Sequence, residues 1–582
     1  MQEAVKGNGG RPGAGARRGR PRRYPGDPSS RFLNVRVLDP ATAYQRTGQG
    51  TVRPTAHLAD TLLVRGSSES VTTALKEAAA EAGFELVWDE RGERDRQLLD
   101  DAPLEDDQRD ELRAVWVRCA RLVPSSEHTG AFRPIDTWRL LQDYRARIGG
   151  PGAEGYHDVA LDHPAAGDPV TAGHPLTAGH PLTAGHPLTA GHPLTAGHPL
   201  TAGHPLTAGH PLTAGHPLTA GHPAASSPGV GMYAQAGFGG RQPVTWLGRA
   251  PEPSYDVTKH PRPVVAVLDT GIGEHDWLTE EFVSHDVRVL GTRIGIEPER
   301  VAAELHGTSN ELLEELDPDA GHGTFIAGLV RQACPEALIL DVPTYGNDGQ
   351  VSEFELLRCL QLLALRQVLG RNGDPDHPPV DVVCLSLGYY HEEPEDAATD
   401  ALLRGPLLLL GEYGAAVVVS AGNDATSRPM YPAAFACCED GLVPEGGDKP
   451  AVDLCCVGAL NPEGTIALFS NDGPWVKYFR PGASLVSTFP KNYDASLQPR
   501  NLVRNERGEY RAAPDPDDFS SGFGVWSGTS FSAPVFAGEL AARLAEKHAE
   551  GYRPSDNDEA VRTLQELLAT MPTGRDSARE SS

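Results

Sequence analysis

A chain of 582 residues with 39% hydrophobic and 22% charged side chains reads as a globular protein with length for more than one core. Its formal net charge of −28 excludes a general phosphate-binding surface, so no nucleic-acid partner is expected. No stretch approaches the roughly 20 apolar residues of a membrane helix, so no membrane partner is expected either. If Met1 is the true start, the protein is expected in the cytoplasm, with its 8 cysteines mostly reduced.

Residues 1–30 contain "RPGAGARRGRPRRYPGD", which is basic, Gly/Pro-rich and without aliphatic side chains, and reads as a disordered tail. Residues 31–148 read as a small α+β domain. Strands are expected at "TLLVRG", "FELVWDE" and "AVWVRCARLV". Helices are expected at "SVTTALKEAAAEAG", with Ser70 as N-cap and Gly83 as stop, and at "DTWRLLQDYRARIGG". Residues 149–260 read as a Pro/Gly/His-rich linker built on "TAGHPL" repeats, which place His174, His180, His186, His192, His198, His204, His210, His216 and His222 six residues apart. Six residues of polyproline II span roughly 19 Å, so neighbouring imidazoles reach a shared metal only if the chain folds back. A spacer is therefore expected ahead of a metal-binding tract.

In residues 261–550, short aliphatic runs at "PVVAVLDTG", "ALILDVPTYG", "VDVVCLSLG", "AAVVVSAGN" and "AVDLCCVGAL" alternate with helical patterns such as "VSEFELLRCLQLLALRQVLG". This alternation predicts an α/β fold, a parallel sheet with helices on both faces, whose ligands collect at the carboxyl ends of the strands. The pairs Cys437, Cys438 and Cys455, Cys456 lack zinc-knuckle spacing and read as small buried side chains. Residues 551–582 read as a C-terminal helix and a disordered tail.

Asp269 ends a predicted strand in "AVLDTG", and Asn423 ends another in "AAVVVSAGN". His322, in "GHGTFIAGLV", and Ser530, in "GTSFSAPVFAGELA", open predicted helices. Each has an ordinary reading as a turn, a buried imidazole or a helix cap. Together they would share one rim of one sheet. That is the composition of a nucleophilic site: a hydroxyl, a base to deprotonate it, a carboxylate to orient the base and an amide for a developing oxyanion. An aspartic-protease mechanism would need a second Asp-Thr/Ser-Gly turn, and the sequence has none.

With "AVLDTG", "HGTFIAG" and "GTSFSAPVFAG" in that order, residues 263–548 resemble the subtilisin-like serine protease family; Phe531 stands where the family usually has Met. The resemblance implies a serine endopeptidase acting on protein or peptide substrates through an acyl-enzyme. Ser530 would be the nucleophile, His322 the general base and acid, Asp269 the orienting carboxylate and Asn423 the oxyanion donor. It further implies that a substrate peptide lies between "LSLG" (Ser386, Leu387, Gly388) and the segment around Tyr345 and Gly346, with Gly388 and Gly422 leaving room near the first pocket. No cofactor is expected for the chemistry and no metal ligand is assigned. Structural calcium, which members of the family often carry, has no clear Asp-rich loop here. Insertions are expected at about 279–318, 437–451 and 491–520, the last as a surface loop. The 31–148 unit resembles the family's inhibitory propeptide in element order. The alternative from another class is a peptide-sensing regulatory or binding protein built on a protease domain.

Overall fold

The computed structural model describes residues 34–45, 52–66, 68–126, 134–167, 228–296, 316–346, 349–393, 402–437 and 449–574, with Gly307 and the segments 199–201 and 204–205. The expected N-terminal and C-terminal tails, most of the TAGHPL tract and the Cys437 and Cys438 side chains lie outside what is described.

The centre is a seven-stranded parallel sheet in the order Val283–Ser284, Leu338–Pro343, Val264–Asp269, Val382–Leu385, Ala416–Ser420, Cys455–Leu460, Tyr478–Pro481. Its inner strands are largely aliphatic because both faces are covered. Along one strand, Val264, Ala266 and Leu268 enter one core, which holds helices Glu353–Arg371 and Arg404–Glu412. Val265 and Val267 enter the other, with helices His322–Ala333 and Thr529–Ala549. Cys455 and Cys456 sit in such a strand, as expected, and the six cysteines with described side chains are buried free thiols.

The N-terminal unit is a four-stranded antiparallel sheet in the order Phe84–Trp88, Val117–Pro124, Thr61–Arg65, Val159–Leu161. Leu62 and Val64 face its own helices, Glu69–Ala82 and Thr137–Arg147, while Leu63, between them, belongs to the core that contains helix Glu353–Arg371. That helix has no single apolar face and is buried from Glu353 to Gly370. A helix of this kind needs cover on every side, and the N-terminal sheet supplies the side that the central sheet does not. Ion pairs cross the junction here, among them Arg358 with Asp95 and Arg91 with Glu355.

Several expectations need correction. Ser68, not Ser70, caps the first helix, its Oγ accepting from the Val71 amide, while Gly83 ends it in the left-handed conformation as expected. Helices Glu90–Asp101 and Asp106–Val115 were not expected at all. The stretch read as linker is ordered at both ends. Residues 149–167 carry a strand of the N-terminal sheet and the strand Pro164–Gly167, and Gln242–Pro243 pairs with Phe523–Trp526. Within insertion 491–520, Leu502–Arg504 and Tyr510–Ala512 form an exposed hairpin. No helix among the described residues is long and apolar enough to cross a membrane.

Candidate active site

Asp269 ends the strand next to the sheet's centre, and its carboxylate is fixed by the Thr270 amide at 2.8 Å. His322 begins its helix after Gly321, whose φ of +86° lets the loop turn sharply and where a Cβ would lie 2.6 Å from the Phe489 ring. The imidazole Nδ1 donates to Asp269 Oδ1 at 2.8 Å. A carboxylate accepts only, so the Nδ1 tautomer is fixed and Nε2 is the basic nitrogen. Tyr345 donates its hydroxyl to Asp269 Oδ2 at 3.1 Å and lies 3.3 Å from His322 Nδ1.

The imidazole packs against Phe531 and Trp526, at ring-centroid distances of 5.1 and 5.7 Å, which sets it beside the turn carrying Ser530. Phe531 also packs on Phe325, so its bulk serves the helix–helix contact. Ser530 is the second residue of its helix, whose N-cap is Gly528 and which has no side-chain cap. Its Oγ is buried and has no hydrogen-bond partner among the described residues. The capping reading of Ser530 is thereby excluded: the hydroxyl is not engaged in helix termination.

Asn423 lies beyond strand Ala416–Ser420, and its Oδ1 accepts from the Thr529 amide at 2.8 Å. That bond assigns the other end of the side chain as Nδ2, a buried donor without a partner among the described residues. Asn471, not anticipated from the sequence, holds this loop: its Oδ1 accepts from the Asp424 and Thr426 amides and its Nδ2 donates to the Ala421 carbonyl. Arg241, in the stretch read as linker, donates to the carbonyls of Asp317, Pro318 and Ala320 just before His322. Burial lowers its pKa to about 10.

Of the two segments read as substrate-binding, one forms a short strand and the other leads into one. Leu387 and Gly388 form one edge, and Ser386 donates its hydroxyl to the Ser530 carbonyl at 3.0 Å. The opposite edge is Gln350–Ser352, beyond Tyr345 and Gly346; Gly346 lies in the turn before it, its carbonyl accepting from the Gly349 amide. Gly422, at φ +100°, is not open space, since a Cβ there would lie 2.3 Å from Asn471 Nδ2. Between the two edges runs the chain itself: Pro164–Gly167 pairs antiparallel with both, Ala166 facing Gln350 on one side and Gly388 on the other.

This strand is anchored at His163, whose Nδ1 and Nε2 donate to Glu353 and Glu392 at 2.7 and 2.8 Å. With both nitrogens donating to carboxylates the ring is an imidazolium. Burial alone would lower its pKa, but Glu392 and Glu353 outweigh burial and raise it to about 10. Arg145 and Glu393 form a second buried pair at 2.8 Å. Nearby His57 is buried with neither ring nitrogen bonded among the described residues; burial, and then the charge of His163, lower its pKa to about 4, against smaller opposing effects of Glu392 and Asp136. The signs differ for the two groups. His163 favours docking fully below its ordinary pKa of about 6.5 and loses that effect as pH rises through about 10, whereas neutral His57 favours docking above about 6.5 and loses it as pH falls through about 4. Calorimetry of the full chain should therefore show an acid limb that His57→Leu removes. An identical acid limb in the variant would contradict this assignment.

Among the described residues, one trio is placed to hold a metal: Asp494, Asp515 and Asp517, whose ligand atoms lie within 4.8 Å of one another. Burial, and then the Asp515 side chain, raise the Asp517 pKa to about 6.

Comparison with known proteins gives the family of the chain. The profile described as the Subtilase family matches residues 261–577, a little over half of the chain. The minor extracellular protease Epr of Bacillus subtilis is 23% identical over 242 residues, 40% of this chain and 28% of that protein. Subtilisin BL of Lederbergia lenta is 26% identical over 249 residues, 41% and 71% of the two chains. Subtilisin-like protease 9 of Arthroderma benhamiae is 24% identical, and the match spans 52% of its length, so the chain covers about half or less of two of these three relatives. Among solved structures, a cold adapted subtilisin-like serine proteinase matches 56% of this chain and 87% of its own, at 17% identity and a TM-score of 0.31.

Proposed function

Because the chain belongs to the subtilase family, we propose that it is a serine endopeptidase acting on protein or peptide substrates, held latent by its own N-terminal unit. The observation that carries this reading is the strand Pro164–Gly167, seated as a peptide between two backbone edges that lead to Ser530. Main-chain pairing of this kind gives sequence-tolerant affinity, and it places an extended peptide across the site. Leu387 faces Gly167, so in a bound substrate the next position faces Ser386.

In the proposed reaction, His322 takes the Ser530 proton at Nε2 as Oγ attacks the scissile carbonyl. The serine alone is too weakly acidic to attack. Asp269 holds the tautomer and stabilises the imidazolium, and Tyr345 steadies the second carboxylate oxygen. The oxyanion is received by Asn423 Nδ2 and the Ser530 backbone amide, donors in a dry site that need no reorganisation. His322 then protonates the leaving amine, and water attacks the acyl-enzyme by the reverse sequence. Side chains and backbone supply every step, and no cofactor enters.

Asn423→Ala should lower kcat about 100- to 1,000-fold with little change in KM, the effect known for the corresponding donor in subtilisin rather than one calculated from this site. Steady-state hydrolysis of a peptide checks it, and an unchanged kcat would remove Asn423 from the oxyanion site. The function itself is tested with a peptide library, using the full chain and a chain starting at Pro228. Cleavage that disappears in Ser530→Ala supports an endopeptidase. If neither form cleaves while a single protein co-purifies stoichiometrically, the binding-protein alternative replaces it.

A further inference from the structure

We propose that the TAGHPL repeats are reserve occupants of the groove that Pro164–Gly167 fills. The groove selects small residues. Ala165 is fully buried and Ala166 nearly so, and at Gly167 a Cβ would lie 2.2 Å from the Tyr345 hydroxyl oxygen and 2.8 Å from an Asp319 carboxylate oxygen. Only glycine fits the slot beside Asp269 and His322 without displacing Tyr345 from the carboxylate it steadies.

The seated segment is in phase with the repeats. Aligned on glycine, Ala165-Ala166-Gly167-Asp168-Pro169-Val170 matches Thr171-Ala172-Gly173-His174-Pro175-Leu176, and glycine then recurs every six residues to Gly221. Gly167 is thus the first of ten glycines in one series, each preceded by Ala and followed two residues later by Pro. The buried differences are Thr in place of Ala165, two heavy atoms that a close-packed slot accepts less readily, and Pro in place of the anchoring His163, so the later copies seat more weakly than the first. Their covalent tether compensates by keeping them at a high effective concentration, and the entropic cost of looping out further units grows only logarithmically. Displacing or cutting Pro164–Gly167 therefore leaves the groove occupied by the next unit. Full opening requires loss of the whole tract.

This inference rests on the protease reading for the groove's role, but its test needs no turnover. Hydrogen exchange is followed at the amides of Gln350–Ser352 and Leu387–Gly388 in the full chain carrying Ser530→Ala. Three forms are compared: Gly167 intact, Gly167→Ala, and Gly→Ala at Gly167 together with Gly173, Gly179, Gly185, Gly191, Gly197, Gly203, Gly209, Gly215 and Gly221. The expected result is protection retained in the single variant and exchange faster by more than about tenfold in the complete one. A synthetic TAGHPLTAGHPL peptide should restore protection in the complete variant, and the same peptide with Ala for Gly should not. Equal loss in both variants would show that the repeats do not replace the first segment. Retention in both, or rescue by both peptides, would show that the groove does not read glycine. Either result overturns the proposal.

Discussion

Replacing His322 with Ala is expected to lower kcat about a million-fold while leaving KM within a few-fold, a magnitude known for subtilisin rather than derived from these residues. The asymmetry follows from the geometry. Substrate would be held by main-chain pairing with Gln350–Ser352 and Leu387–Gly388, so binding survives loss of the imidazole. Proton removal from Ser530 would not survive, because in the proposed mechanism His322 is the base, its imidazole oriented by Asp269 at 2.8 Å. The loss should also be non-additive: the double variant with Ser530→Ala falls no further than either single one, since the groups act as a unit. Steady-state kinetics with the N-terminal unit displaced checks both statements. A residual kcat within tenfold of the unaltered chain would remove His322 from the mechanism.

His163→Ala should loosen the N-terminal unit more than any other single change at the junction. Its ring bridges two buried carboxylates, and removing it leaves Glu353 and Glu392 facing each other without a cation. Removing one partner of a buried charge cluster costs about 3–5 kcal/mol, because the charge left behind has lost its water and gained nothing. The arrangement as a whole need not be strongly stabilising for that cost to appear. Exchange at the Gly167 amide, which donates to the Gly349 carbonyl, should accelerate about a hundred- to a few thousand-fold while the central sheet is unaffected. Unchanged exchange at Gly167 would show that docking does not depend on this cluster.

The central sheet was legible because strands covered on both faces must be aliphatic throughout, as in Val264–Asp269. The four candidate site residues were legible for a related reason: glycines and helix starts around Asp269, His322, Asn423 and Ser530 mark tight approaches at strand ends. Helices Glu90–Asp101 and Asp106–Val115 were not legible, since "ERGERDRQLLDD" and "DDQRDELRAV" offer few apolar residues to set a period. They become helical through caps, with Asp89 accepting from the Arg91 and Gly92 amides, and through packing on helix Glu353–Arg371. Pro164–Gly167 was hidden for the opposite reason. "PAAG" has almost no strand propensity, and its conformation is imposed by the two edges that flank it. Arg241 and His163 were likewise opaque, because their partners are carbonyls and carboxylates distant in sequence.

The convergence of Asp269, His322, Asn423 and Ser530 on one reacting centre is tested most directly by fluorophosphonate labelling with the adduct located by peptide mapping. With the groove emptied, a single adduct is expected on Ser530, absent from Ser530→Ala and strongly slowed in His322→Ala. Equal labelling of the unaltered chain and Ser530→Ala, or an adduct on another serine, would contradict it.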